Sequence, residues 1–270
     1  MISKIHSYKV IPSTNRIAFE LAEAGASHGE IVCAGSQTEG RGRLGKRWLS
    51  PSGKGLYFSI IVRPDLPKED YAKITMTTGL AMAEVLEELC GAAVQLKWPN
   101  DIMLSERKCG GILCEASLDS EISERRFAII GIGLNVLTEK DDFPEELQAS
   151  ATSLFIETGK YFSLDEVRNR IVEQVLRVLS TLEQEGFSPI LRQWASRDFL
   201  EGKWLQWLTH GGEVILARAE GPDEDGRLLV RDKDGKLHQV LSGDVTLAGK
   251  HQKKGAVRDE HGSSSTPDPH

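Results

Sequence analysis

The chain has 270 residues, 40% of them hydrophobic and 27% charged, enough to bury a sizeable core as one large domain or two unequal ones. Its longest apolar runs, such as Ile129 to Ile132, are far too short to span a bilayer, which excludes membrane-spanning and fibrous classes. Forty acidic against 33 basic side chains give a net charge of −7, which argues against nucleic-acid binding through the overall field.

The opening MISKIHSYKV alternates polar and apolar residues and carries no secretory signal, so a cytoplasmic protein is expected. Four cysteines form no C-x-x-C pair and seven histidines never fall at i, i+4, so zinc-ligand spacing is missing and the thiols read as reduced and mostly buried. A strand is predicted over Ile5 to Val10. The polar run Ser13-Thr14-Asn15 then caps a helix that ends at Gly25. EIVCAG reads as a second strand and LYFSIIVR, Leu56 to Arg63, as a third. Between them lies a polar, glycine-rich stretch.

Asp70 to Cys90 has helical apolar spacing and stops at Gly91. Three strand candidates follow: AVQLKW, Cys109 to Ser117, and RRFAIIGIGLNV, whose unbroken apolar run suggests burial on both faces. Together they predict one central sheet. Leu164 to Glu185 carries a single apolar stripe and reads as a long amphipathic helix. Beyond Phe199, five short strands alternate with turns at His210-Gly211-Gly212, Asp225-Gly226, Asp234-Gly235 and Ser242-Gly243, the rhythm of a small β-barrel. The tail from Lys250 to His270 is polar and is expected to be disordered.

Residues 40–64 hold six cations, Arg41, Arg43, Lys46, Arg47, Lys54 and Arg63, and no carboxylate, a local reversal in an acidic protein that invites an anionic ligand. Gly40 to Lys46 matches G-x-x-x-x-G-K. Arg47 follows where a phosphate loop needs Ser or Thr, and Trp48, Pro51 and Gly53 oppose an immediate helix, so a nucleotide phosphate loop is rejected. What remains is a loop whose glycines admit close approach of a ligand and whose cations donate to phosphate or carboxylate. A solvated surface turn would look the same in isolation.

A second segment decides between them. Lys97-Trp98-Pro99-Asn100-Asp101, then Arg107-Lys108-Cys109-Gly110-Gly111-Ile112-Leu113, then Gly131-Ile132-Gly133-Leu134-Asn135 follow Ser13-Thr14-Asn15 and Gln37-Thr38-Glu39-Gly40-Arg41-Gly42-Arg43. In this order the motifs resemble those of biotin protein ligases over residues 5–136, and the C-terminal β-region resembles the family's SH3-like domain. The resemblance implies an α+β fold with a central mixed β-sheet flanked by helices, of the class II aminoacyl-tRNA synthetase and biotin ligase type. It divides the chain into a catalytic domain over 1–198, an SH3-like β-domain over 199–249 and a tail over 250–270.

The implied activity has two steps: biotin and MgATP give biotinyl-5′-AMP and pyrophosphate, then a lysine of a biotin carboxyl carrier protein, that of acetyl-CoA carboxylase or a related carboxylase, takes the biotinyl group. By the same resemblance Arg43, Lys108 and Asp101 are the catalytic residues. Ser13, Thr14, Asn15, Gln37, Gly40, Arg41, Lys108 and Gly111 meet biotin, and Arg43, Lys46, Trp48, Asn100 and Asn135 meet ATP or the adenylate. ATP and Mg²⁺ are the implied cofactors, with no protein metal site. Taken singly, several have ordinary structural uses: Ser13 and Thr14 as helix caps, Lys108 as a turn lysine, Gly111 as a bulge, Trp48 as packing, Asp101 as a turn residue and Asn135 as a strand end.

Ser13 lies too near the start for the DNA-binding domain that some relatives carry, so DNA is not an expected partner, and the short apolar runs make a membrane none either. A homodimer through the edge of the sheet is the implied assembly. Leu44 and Lys46 depart from the basic residue and the arginine of some relatives. A lipoate or octanoate ligase and a non-catalytic biotinyl-adenylate sensor are the rival readings.

Overall fold

The computed structural model describes residues 4–118, 126–208, 214–240 and 246–247. The tail and the turns at His210-Gly211-Gly212 and Ser242-Gly243 lie outside the described residues. Seven strands, β1 (Lys4–Ile11), β2 (Glu30–Gln37), β3 (Gly55–Val62), β4 (Gln95–Lys97), β5 (Asp101–Leu104), β6 (Arg107–Ser117) and β7 (Phe127–Asn135), form one mixed sheet in the order β1-β2-β3-β7-β6-β5-β4. β1 and β2 run parallel and the remaining neighbours antiparallel.

Side-chain alternation divides the sheet into two unequal faces. Ile130, Ile132 and Leu134 of β7 join Phe58 and Ile60 of β3 in the large core. That face is covered by α2 (Ile74–Cys90), α4 (Leu164–Glu185) and α5 (Ser188–Ala195). On the other face Ile61, Phe127 and Ile129 pack in a smaller core with Ala18 and Ala22 of α1 (Thr14–Glu23). Period two then puts Ser59, Gly131 and Gly133 on the α1 side. That side is therefore small and polar where the helix stops short.

A second, antiparallel sheet follows, consistent with the SH3-like expectation: β8 (Trp204–Leu208), β9 (Val214–Pro222), β10 (Leu228–Asp232), β11 (Leu237–Val240) and β12 (Thr246–Leu247), ordered β11-β10-β9-β8-β12. Leu205 and Trp207 alternate inward in WLQWL and, with Ala217, Leu228 and Val230, continue the large core. The turn between β9 and β10 reaches the first sheet, where Trp98 Nε1 donates to Gly226 O at 2.9 Å.

Several expectations change. β5 was not predicted: it is four residues long and pairs with the three-residue β4 in a hairpin whose turn is Trp98-Pro99-Asn100. α3 (Leu154–Thr158) and α5 were not predicted either, being too short for a repeating apolar pattern. Lys68–Lys73 is a 3₁₀ turn and the α-helix begins at Ile74, not Asp70. Ser13 occupies the N-cap position of α1 but makes no side-chain capping bond. Instead Gln37 Oε1 on β2 accepts from Thr14 N at 2.8 Å. α4 has the predicted bounds, capped by Ser163 Oγ accepting from Glu166 N and ended by Gly186.

The two sheets meet at Asp198. Its Oδ1 accepts from Leu200 N at 2.8 Å, while Oδ2 is buried without a hydrogen-bond partner among the described residues. Burial pushes its pKa up to about 6. Because this exceeds the unfolded value of about 3.9, the ionised carboxylate destabilises the fold above pH 6, and the penalty fades as pH falls through 6 towards 4. Asp198→Asn is expected to raise Tm by about 3 °C at pH 8 and by less at pH 5, as read by calorimetry; equal gains would remove ionisation as the cause.

Candidate active site

The site forms where α1 gives out. β6 and β7 pair Gly111 with Gly133 and Leu113 with Gly131, while β3 sets Tyr57 and Ser59 opposite the two β7 glycines. The result is a bare patch of backbone, and the indole of Trp48 lies on it. A Cβ at Gly133 would sit 2.7 Å from Trp48 Nε1, and one at Gly111 would sit 3.3 Å from its Cζ3. Trp48 Nε1 is buried with no hydrogen-bond partner among the described residues, a donor left without an acceptor. Lys108 Nζ stands 5.6 Å from the ring centroid.

Above this floor is a cavity of about 390 Å³. One wall is the start of α1. There Gln37 Oε1 takes both the Thr14 amide and, at 3.3 Å, its hydroxyl, and Gln37 Nε2 donates to Ser50 Oγ at 3.1 Å. Asn15 Nδ2 donates to Leu113 O at 3.0 Å and to Glu115 Oε2 at 2.7 Å. Ser59 Oγ lies 2.8 Å from Thr14 Oγ1 and 2.7 Å from Asn15 Oδ1, so its single proton serves one of the two at a time. Gly131 is obligatory here, since its Cβ would fall within 2.7 Å of Asn15 Cγ.

The opposite wall is the β4–β5 hairpin. The Trp98–Pro99 peptide is cis, and Lys97 pairs directly with Asp101 across the two strands. Asn100 fixes the turn to β6 twice, donating from Nδ2 to Ile112 O at 2.9 Å and accepting from Ile112 N at 3.0 Å. Asp101 Oδ1 is 2.6 Å from Lys108 Nζ.

Six cations, Arg41, Arg43, Lys46, Arg47, Lys97 and Lys108, line the cavity against two carboxylates, Asp101 and Asp142. Burial pulls the Arg43 guanidinium below its ordinary pKa, with Asp101 opposing. Burial likewise lowers Lys97, Asp101 holds it up, and Lys108, Lys46 and Lys203 press it down. Such a cleft suits an anion far better than a cation.

Of the residues singled out in the sequence, Ser13, Thr14, Asn15, Gln37, Arg41, Arg43, Lys46, Trp48, Asn100, Asp101, Lys108, Gly111 and Asn135 all line this cavity. Gly40 does not: it lines an adjoining cavity beneath the basic loop, and Trp48 O leaves no room there for a Cβ. Asn135 Nδ2 donates to Thr152 O at 3.0 Å, so it ties down the chain beyond β7. Sequence reasoning missed Glu115, Ser59 and the lining contributed by 138–151. Glu115 could have been found, because it shares a strand face with Gly111. The 138–151 segment has no local signal: it is brought in by Lys108 N donating to Ser150 O and Thr152 N to Lys108 O. Among the described residues no group of three or more His, Cys, Asp or Glu could hold a metal ion.

A seven-stranded mixed sheet carrying a cation-lined cleft, joined to a small antiparallel β-unit, defines a two-sheet protein with a site for an anionic ligand. Residues 7–135 match the Biotin/lipoate A/B protein ligase family and residues 208–247 the Biotin protein ligase C terminal domain. The Bifunctional ligase/repressor BirA of Bacillus spizizenii is 35% identical over 88% of this chain and 72% of its own. The Biotin--[acetyl-CoA-carboxylase] ligase of Paracoccus denitrificans is 31% identical over 83% of this chain and 92% of its own. The structure of the Aquifex aeolicus biotin protein ligase in complex with biotin and ATP superposes with a TM-score of 0.76 at 32% identity, covering 90% of this chain and 98% of that one. This chain belongs to the biotin protein ligase family.

Any side chain at Gly133 must displace the indole. Gly133→Ala is expected to red-shift the fluorescence that Trp48 contributes, taken as the difference from Trp48→Phe, and to increase its quenching by acrylamide. An unchanged Trp48 spectrum would mean that the indole does not rest on that floor.

Proposed function

We propose that this chain activates biotin with ATP and transfers the biotinyl group to a lysine of a biotin carboxyl carrier protein, that of acetyl-CoA carboxylase or a related carboxylase. In the first step a biotin carboxylate oxygen bonds to the α-phosphorus and pyrophosphate leaves. In the second, the lysine amine bonds to the acyl carbon, AMP leaves with the electron pair, and the amine loses a proton to form the amide. Two unit charges 4 Å apart repel by about 4 kcal/mol at an effective dielectric of about 20, so the first step needs cations between its reactants. The convergence of Arg43 and Lys108, 65 positions apart in sequence and brought to one cavity, is the observation that carries this reading.

In this reading Ser13, Thr14, Asn15, Gln37 and Gly111 shape the biotin end, with Gly40 and Arg41 holding the loop over it. Arg43, Lys46, Trp48, Asn100 and Asn135 serve the adenylate end. Mg²⁺ enters with ATP as part of the substrate, keeping phosphate and water oxygens as ligands. Lys108, now paired with Asp101, turns to the ligand's anion, and Asp101 is released to orient the incoming amine. Residues 1–198 carry the chemistry and 199–249 form the SH3-like unit, a division supported by the family match over 208–247.

Among the described residues no helix is long and apolar enough to cross a membrane. Four free thiols accord with a reducing cytoplasm. A homodimer through an edge of the central sheet completes the proposal.

The test is direct. With biotin, MgATP and a carrier domain, the carrier should gain the mass of one biotinyl group, and pyrophosphate should exchange into ATP only when biotin is present. Exchange supported by lipoate or octanoate instead would favour a lipoate-type ligase, and adenylate formation without transfer would favour a sensor. Asp101→Asn is expected to slow transfer at least tenfold while adenylation falls less. An unchanged transfer rate, measured from preformed adenylate, removes Asp101 from that role.

A further inference from the structure

Among the ties of the basic loop to the sheet, one runs through Glu115, a residue outside every motif. Glu115, near the end of β6, accepts on the same oxygen, Oε2, from Arg41 Nη2 and from Asn15 Nδ2, each at 2.7 Å. Arg41 belongs to the loop, Asn15 to the first turn of α1 and Glu115 to the floor, so one carboxylate oxygen joins three elements 100 residues apart at the widest. Glu115 is about one-third exposed and Arg41 about half, which puts the bond at the rim of the cleft. Arg41 lines both the main cavity and the adjoining one beneath the loop, whereas Glu115 lines only the latter, so their bond lies in the partition between the two.

The chemistry of this arrangement is specific. Both bonds are charge-assisted through the carboxylate, and a guanidinium so held has its charge answered by the protein. Arg43, two residues on, has no such tie among the described residues: the groups that act electrostatically on its guanidinium are Asp101 and Cys114. The loop's two arginines are thereby divided, Arg41 as a tether and Arg43 as the cation offered to the ligand. Asn15 couples the tether inward, since its Oδ1 faces Ser59 Oγ, which also reaches Thr14 and so Gln37.

We propose that Glu115 is a positioning residue of the ligase reaction: it holds the basic loop closed through Arg41 and sets the biotin-side wall through Asn15, without itself touching the reacting atoms. This rests on the function proposed above for the cavity. An open loop would admit water to the acyl-adenylate, so the loss of Glu115 should appear as weaker ligand retention and leakage more than as slower chemistry.

The experiment compares Glu115→Ala, Glu115→Gln, Arg41→Ala and the Glu115→Ala/Arg41→Ala double variant with wild type. KM and kcat for biotin-dependent pyrophosphate exchange are measured, together with the rate at which 37–55 is cut by protease in ligand-free protein. Expected for Glu115→Ala are a KM for biotin raised about tenfold, a kcat within about threefold, and faster loop cleavage. Glu115→Gln, which keeps neutral acceptors, should recover part of the KM and fold even where the alanine variant does not. The double variant should be no worse than the poorer single one, since both remove the same contact. Wild-type KM and cleavage in both Glu115 variants, or additive losses in the double variant, would overturn the proposal. Should wild type show no biotin-dependent exchange while Glu115→Ala still speeds loop cleavage, the tether stands and the assigned function falls.

Discussion

Holding several cations in one partly buried cleft is the constraint on which the rest of this structure depends. Lysine and arginine at such distances repel one another, and burial already drags Arg43 and Lys97 below their ordinary pKa values. The fold tolerates this because carboxylates are set among them. Asp101 answers Lys108, Glu115 answers Arg41, and Glu139 with Asp142 answers Lys54 just outside. These pairs are partly exposed, where an ion pair contributes about 1 kcal/mol or less. They are therefore weak enough to exchange for a ligand's anion, which a deeply buried pair would not be.

The cleft exists because helix and strand rise at different rates. α1 has ten residues and covers about 15 Å, while the nine residues of β7 extend about 30 Å. Half of the sheet's face is thus left without a helix. On that half the alternating positions hold Ser59, Gly131, Gly133 and Gly111 where larger apolar residues would otherwise call for a covering element. The loop supplies the cover: Trp48 lies on the glycines, and the arginines stand around it. The same strands carry bulky Ile130, Ile132 and Leu134 on the opposite face, so one short sequence, IIGIGLN, builds both the core and the floor.

What could be read from the sequence follows the same division. The 22-residue α4 was legible to its ends because a long apolar stripe, a serine cap and a terminal glycine all agree. β3, β6 and β7 were legible within two residues from their composition. The β4–β5 hairpin was not, since strands of three and four residues have no room for a period, and its pairing depends on a turn that Asn100 fastens to distant Ile112. In the site, the motifs named nearly every lining residue of the loop and hairpin. They missed Glu115, which its place on the same strand face as Gly111 could have disclosed, and 138–151, which is placed by backbone bonds to distant Lys108 and leaves no local mark. Serine as a helix cap misled for a related reason: the local rule was overridden by Gln37 arriving from β2.

The Lys108–Asp101 pair links the two halves of the proposed reaction. While Lys108 holds Asp101 at 2.6 Å, the carboxylate is engaged and has little to offer an incoming ammonium. An anion on the ligand competes for Lys108 with the same chemistry that Asp101 uses, a carboxylate or phosphate oxygen against a lysine ammonium. Formation of the adenylate keeps a phosphate in the cavity after pyrophosphate leaves, so the competition persists through the interval in which the acceptor lysine must arrive. In the proposed reaction Asp101 is then free when there is an activated acyl group to attack, and engaged when there is none. On the proposed function, order in the two-step reaction follows from one exchange of ion-pair partners, made by the reorientation of a lysine side chain.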